Sequence, residues 1–236
     1  MATRSQRAER ERAERRTDAL SKRRIVDAAI GILDTEGERA LTFRALAARL
    51  ATGSGAIYWH VANKDDLLAA ATNDVIARVV TDVGEDAEPR EAIRAIALGV
   101  FDAIDAHPWV GAQLSRVPWL AAMPQIFEGI GGQLQALGVP ERAWFDSVSA
   151  LVNYTLGVAG QNAANARRFA HGTDRGALLG AVAEEWRRLD PARYPFVHRV
   201  AARLPEHDDR EQFLAGVDLI LAGIVAAPPG GVTPPG

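Results

Sequence analysis

Cysteine is absent from this chain of 236 residues, so a disulfide framework, a thiolate metal site and a cysteine nucleophile are all excluded. Aromatic residues are sparse at 6%, and the five histidines lie scattered along the sequence. There is no His-Glu-x-x-His zinc motif, no Gly-x-Ser-x-Gly nucleophile elbow and no phosphate-binding glycine loop. The chain is therefore expected not to be an enzyme, and no cofactor or metal is expected. Long hydrophobic runs are missing as well. The longest, near 219–227, is interrupted by Gly223 and reaches about half of the roughly 20 residues that a bilayer span requires. The first residues are charged and lack the apolar core and cleavage site of a secretory signal, so the expected location is the cytoplasm.

What is present is enough apolar material, 48% of residues, to bury a proper core. The net charge of −3 is unevenly spread: residues 1–66 carry 13 Lys and Arg against 10 Asp and Glu, whereas 67–236 carry 14 against 20. A basic head on an acidic body is the balance of a DNA reader, although a charged arm explains part of it. Residues 1–20 are Arg, Glu and Ala with few large apolar side chains, and read as a flexible arm. The interleaved Glu9, Glu11 and Glu14 dilute its field, which favours a solvated arm over one lying in a minor groove.

From Ser21 the apolar spacing is helical. Ile25, Ala28, Ala29, Ile30, Ile32 and Leu33 form a run that stops at Gly37. A second helix follows from Thr42, a candidate N-cap, with Phe43, Leu46, Ala47 and Leu50 inward and Gly53 as its break. A short third helix covers about 54–61. Asn63 then caps a fourth, with Asp65 and Asp66 in the first turn where the helix dipole favours negative charge, running to about Val83. After a polar linker over 84–90 the periodicity predicts helices over 91–106, 111–117, 123–137, 141–169, 175–189 and 209–226. No alternating β-branched segment and no internal repeat interrupts this pattern, so the fold class is all-α. The Pro/Gly-rich 228–236 reads as a disordered tail.

The helix over 54–61 carries the functional signal. Ile57 and Val61, four residues apart, point inward and leave Ser54, Gly55, Ala56, Tyr58, Trp59 and His60 outward. Consecutive Tyr, Trp and His on a two-turn helix are costly to expose unless a partner covers them. A DNA major groove is such a partner: it admits one helix, small residues let the backbone come close, and hydroxyl or imidazole groups reach phosphates or base edges. The competing reading, in which Tyr58 and His60 merely cap a small core, stands on the same residues.

The stretch LTFRALAARLATGSGAIYWHVANKDDLLAA resembles the DNA-binding head of the tetracycline repressor (TetR) family through Thr42, Ala47, Leu50, Ile57, Tyr58, His60, Val61, Lys64 and Leu67. Where the family has Gly-Val in its turn, this chain has Ala51 and Thr52, followed by Gly53, so a local difference is expected there. The resemblance implies a three-helix helix-turn-helix head over 21–66 and a helical-bundle ligand-binding and dimerisation domain over 67–227. It assigns Arg44, Ser54, Gly55, Ala56 and Trp59 to bases or neighbouring phosphates, and Thr42, Tyr58, His60 and Lys64 to phosphates. Arg44 is the best candidate for a specific base contact. ALVNYTLG (150–157) and FLAGVDLILAG (213–223) are similar to the two helices that pair across the dimer in the tetracycline repressor subgroup.

For the body, the resemblance places Phe101, Ser115, Trp119 and Gln161 at ligand positions, and the aromatic content adds Trp109, Phe127 and Tyr154. Ordinary core packing uses the same residue types. The subgroup holds a magnesium ion with a histidine and an acidic residue, which are Ser115 and Gln161 here, so a metal-independent, largely apolar or aromatic effector is expected. The expected partners are a double-stranded operator, that small-molecule effector and a second copy of the chain. A helical protein-interaction module, or an activator on the same fold, remains the alternative.

Overall fold

The computed structural model describes residues 21–84, 86–116, 122–169 and 175–226. The expected arm over 1–20, the tail over 228–236 and Trp119 lie outside them. Among the described residues there is no strand, and the chain divides into two compact units that meet in sequence between Val75 and Ile76. That division falls inside a helix, nine residues beyond the expected boundary at 66.

In the first unit, α1 (Lys22–Glu36) begins where the Ser21 hydroxyl accepts the Arg24 amide at 3.3 Å. It stops at Gly37, whose φ of 80° is open to glycine and whose amide returns to the Ile32 carbonyl. α2 (Phe43–Arg49) starts with the Thr42 hydroxyl accepting from the Ala45 amide at 3.1 Å. α3 spans Ser54–Tyr58, and α4 (Lys64–Thr81) starts where the Asn63 side-chain oxygen accepts the Asp66 amide at 2.8 Å. Ile25, Ile32, Leu41, Leu46, Ile57 and Leu67 are fully buried and form the core of this unit. All four helices were legible as such; α3 ends at Tyr58, shorter than the expected 54–61, although the Val61 amide still bonds the Ile57 carbonyl at 3.1 Å.

The second unit is organised around α5 (Pro89–Ala106) and α8 (Glu141–Phe169), on which α6 (Pro108–Arg116), α7 (Ala122–Ala136) and α11 (Asp209–Ala226) pack. α5 begins two residues inside the expected linker because the Glu88 carboxylate accepts the Arg90 and Glu91 amides and Pro89 occupies the first turn. Phe101 from α5, Phe213 from α11 and Tyr154 from α8 form a three-ring stack, with centroids 4.7 and 5.6 Å apart. The Tyr154 hydroxyl donates to the Phe213 carbonyl at 3.2 Å, and burial pushes its phenol pKa up. Ion pairs join α5 to α11 at Arg94–Asp218 and at Asp102–Arg210, the latter 2.9 Å.

α9 (Arg175–Arg188), α10 (Pro195–Val200) and a 3₁₀ turn (Ala201–Glu206) pack on one another. The last two fall in the gap between the helices expected over 175–189 and 209–226, a segment that carries Pro195 and Pro205. Pro195 occupies the first turn of α10, where its missing amide costs nothing. Asp208 heads α11: its carboxylate accepts the Arg210 and Glu211 amides at 2.9 and 2.8 Å, chiefly the latter holding its pKa below the usual value. The resulting stabilisation is present above the ordinary aspartate pKa and lost as pH falls through the lowered one.

The α8–α11 contact depends on a glycine. A Cβ at Gly216 would overlap the Tyr154 ring and hydroxyl. Gly216→Ala is therefore expected to cost about 1 to 3 kcal/mol in urea unfolding. Combined with Tyr154→Ala it should cost less than the sum of the two single losses, whereas simple additivity would mean that the two positions do not meet.

Candidate nucleic-acid interface

α3 has five residues, too few to be stable alone. Ile57, 0% exposed, anchors it, with Val61 buried just beyond. This fixes the rest of its surface outward: Trp59 is 90% exposed and Tyr58 55%. Ser54, Gly55 and His60 are exposed as well, and Ala56 is partly covered. Nothing lies within 4 Å of a Cβ built on Gly53 or Gly55, so the N-terminal end of α3 is open to a close approach. Its amides there have no side-chain cap.

The exposed ring of Tyr58 is positioned by α2. Phe43 lies parallel to it at 4.2 Å between centroids, with 3° between the planes. Phe43 thus forms a platform that holds the phenol in place, a role that the sequence alone did not indicate, since Phe43 was read as an inward residue of its own helix. Arg44 is exposed beside it on α2. Thr42 is exposed, with its hydroxyl engaged as the cap of α2. Lys64 is half-buried and its ammonium donates to the Glu38 carbonyl at 2.6 Å, tying the start of α4 to the segment after α1. Of the nine residues assigned to DNA, Thr42 and Lys64 have polar groups that already meet a backbone partner.

The turn between α2 and α3 keeps a left-handed residue where the TetR pattern has glycine: Ala51 has a φ of 50°, and no other described non-glycine residue has a positive φ. The local substitution therefore changes the side chain and leaves the glycine-like backbone in place, at a cost of about 1 to 2 kcal/mol for alanine in that region.

The six ligand candidates among the described residues do not converge. Phe101 and Tyr154 meet across Phe213 and fill the space between their helices. Trp109 is buried in α6 beside His107, and Ser115 is exposed near the end of α6. Phe127 lies 6.3 Å from Phe145 along an open groove of about 330 Å³. Gln161 lines a different cavity of about 410 Å³ between α8 and α9. Most of that cavity's polar lining went unread, because it joins single residues from distant parts of the chain. One signal was available: the buried row Leu151, Thr155, Ala159, Ala163 of α8 is flanked in its last turns by Gln161, Asn162 and Asn165.

A small helical head with an exposed aromatic recognition helix defines a helix-turn-helix DNA-binding regulator. The family model for bacterial regulatory proteins of the tetR family matches residues 25–71. The chain is 53% identical to the transcriptional regulator SCO7222, a TetR from Streptomyces coelicolor, over 88% of this chain and 99% of that one, with a TM-score of 0.82. It is also similar to ActR from Streptomyces coelicolor in complex with actinorhodin (26% identity, 88% and 96% coverage, TM-score 0.72). A further likeness is to BioQ with its natural double-stranded DNA operator (25% identity, 89% and 100% coverage, TM-score 0.59). The chain belongs to the TetR family of transcriptional regulators.

Two predictions follow the geometry. Phe43→Ala is expected to weaken DNA binding in an anisotropy titration nearly as much as Tyr58→Ala, with the helical signal in circular dichroism retained. Full affinity in Phe43→Ala would remove the platform role. Ala51→Gly is expected to be close to neutral in stability, since relief of the left-handed backbone offsets glycine's extra unfolded-state entropy. Ala48→Gly, on the exposed face of α2, should cost about 1 kcal/mol.

Proposed function

We propose that this regulator is a repressor that binds a palindromic operator as a homodimer in the cytoplasm and is released by a small effector with an apolar or aromatic body. The reading is carried by α3, on which Trp59 and Tyr58 stand exposed above a single buried anchor. In this reading Arg44, Ser54, Gly55, Ala56 and Trp59 approach the bases. Thr42, Tyr58, His60 and Lys64 hold phosphates and set the register without reading sequence. Residues 21–66 act as the head, and 67–227 as the ligand-binding and dimerising body.

The homodimer is supported by two helix faces. Gly157 of α8 and Gly223 of α11 are exposed, with nothing within 4 Å of a Cβ built on either, and Leu219 of α11 is 75% exposed. A face of small residues with one large apolar side chain suits close pairing of α8 and α11 with the same helices of a second copy. A two-fold dimer places its recognition helices in major grooves about 34 to 36 Å apart, and an effector that changes this separation lowers DNA affinity. The coupling is reciprocal and typically about 1 to 3 kcal/mol. That ActR has been solved with actinorhodin, and BioQ with its operator, supports both halves of this scheme.

Selection of bound sequences from a random duplex library, at about 0.1 M salt to suppress nonspecific phosphate binding, tests it. An inverted repeat with half-sites one helical turn apart, or a multiple of that, is expected; no enrichment, or enrichment of an asymmetric site, would sink the proposal. Arg44→Ala should relax the preference at one base pair by about 1 to 3 kcal/mol while leaving the repeat spacing unchanged.

A further inference from the structure

The cavity of about 410 Å³ in the second unit is of ligand size. Its apolar lining comes from Val158 of α8, Leu178 and Leu179 of α9, and Leu204 of the 3₁₀ turn. Its hydrogen-bonding lining comes from Asp105 at the end of α5, Gln161, Asn162 and Asn165 on α8, and Gln212 on α11. Its charges are largely fixed. The Arg175 guanidinium donates to the His207 carbonyl at 2.7 Å and pairs with Asp209 at 2.7 Å, and His207 Nε2 lies 3.0 Å from the same carboxylate. Among the described lining residues, the Arg175 guanidinium is thus already matched by a carboxylate. Asp105, whose oxygen accepts the Asn162 amide at 3.0 Å, adds a second carboxylate to that lining.

We infer that this cavity is the effector site and that it takes a compact amphipathic molecule with an apolar face on the leucines, hydrogen-bonding groups towards Asn162 and Asp105, and no net negative charge. An anion entering it would meet the Asp105 carboxylate. The inference rests on the effector-released reading and adds to it the place and the chemistry. It also supplies a route to the DNA response. α8 and α11, which both line the cavity, are the helices proposed to pair two copies, so occupancy acts directly on their packing. Arg175 clamps the start of α9 to the start of α11, and a ligand that displaces this clamp frees one end of a pairing helix.

The test uses two fluorescent probes that differ by one carboxylate, 7-amino-4-methylcoumarin and its 3-acetic acid derivative, titrated against the full chain. The neutral probe is expected to bind saturably and the anionic one roughly tenfold more weakly. Leu179→Trp, which fills space at the apolar lining, should abolish binding of both. Asp105→Asn should bring the two affinities together. Circular dichroism of each variant separates a filled cavity from a lost fold. If Leu179→Trp unfolds, Asn162→Leu replaces it, expected to weaken the neutral probe by removing its amide partner. Absence of saturable binding, binding indifferent to these substitutions, or equal affinity for the two probes would each overturn the proposal. Selection of an operator by the unmodified chain is scored separately. A chain that selects an operator but fails the probe test keeps the regulator reading and loses the cavity assignment, whereas the reverse result leaves a binding site without a DNA response.

Discussion

The functional face of this protein depends on the burial of one side chain. α3 is a helix of barely more than a turn, and the cost of nucleating so short a helix is not recovered by its own hydrogen bonds. Ile57 supplies what the helix lacks: it is completely buried, as are Leu41, Leu46 and apolar residues of α1 and α4 in the same unit. Because this single anchor and Val61 hold the segment, nearly the whole remaining surface of α3 is left for a partner. A longer amphipathic helix would have had to give half of its circumference to the core. Exposure of Trp59 is thus the consequence of a division of labour: one residue holds, and its neighbours reach.

Around this anchor each boundary is set by a local hydrogen bond. The Ser21, Thr42 and Asn63 side chains each accept an amide in the first turn of a helix, and Gly37 returns its own amide to the helix it ends. These devices are written in residue types, which is why the head could be read from sequence almost residue by residue. The long helices of the body were legible for another reason, the helical apolar spacing of 141–169 and the high apolar content of 209–226, whose limits coincide with α8 and α11.

What escaped sequence reading has physical causes. The α10 and 3₁₀ segment lies between two prolines, and proline serves equally as a break and as a helix opener, so composition could not distinguish them. The aromatic side chains selected as ligand contacts were of the right type for a cavity, yet Phe101 and Tyr154 spend their surface on Phe213. Type alone does not separate a filled space from an empty one. The cavity itself is assembled from Asp105, Asn162, Arg175 and His207, brought together by the crossing of α5, α8, α9 and α11, and no spacing within any one segment announces it. Phe43 illustrates the same limit on a smaller scale: its partner Tyr58 lies across a turn, on a different helix.

The close fit of Tyr154 against Gly216 also bears on how the body can diverge. The absence of a side chain at 216 and the presence of a ring at 154 are two halves of one shape, joined further by the phenol's bond to the Phe213 carbonyl. Neither half can drift alone without a void or an overlap. Among chains that preserve this helix crossing, the two positions should co-vary: a bulkier residue at one accompanied by a trimmed one at the other, so that the seam is inherited as a pair.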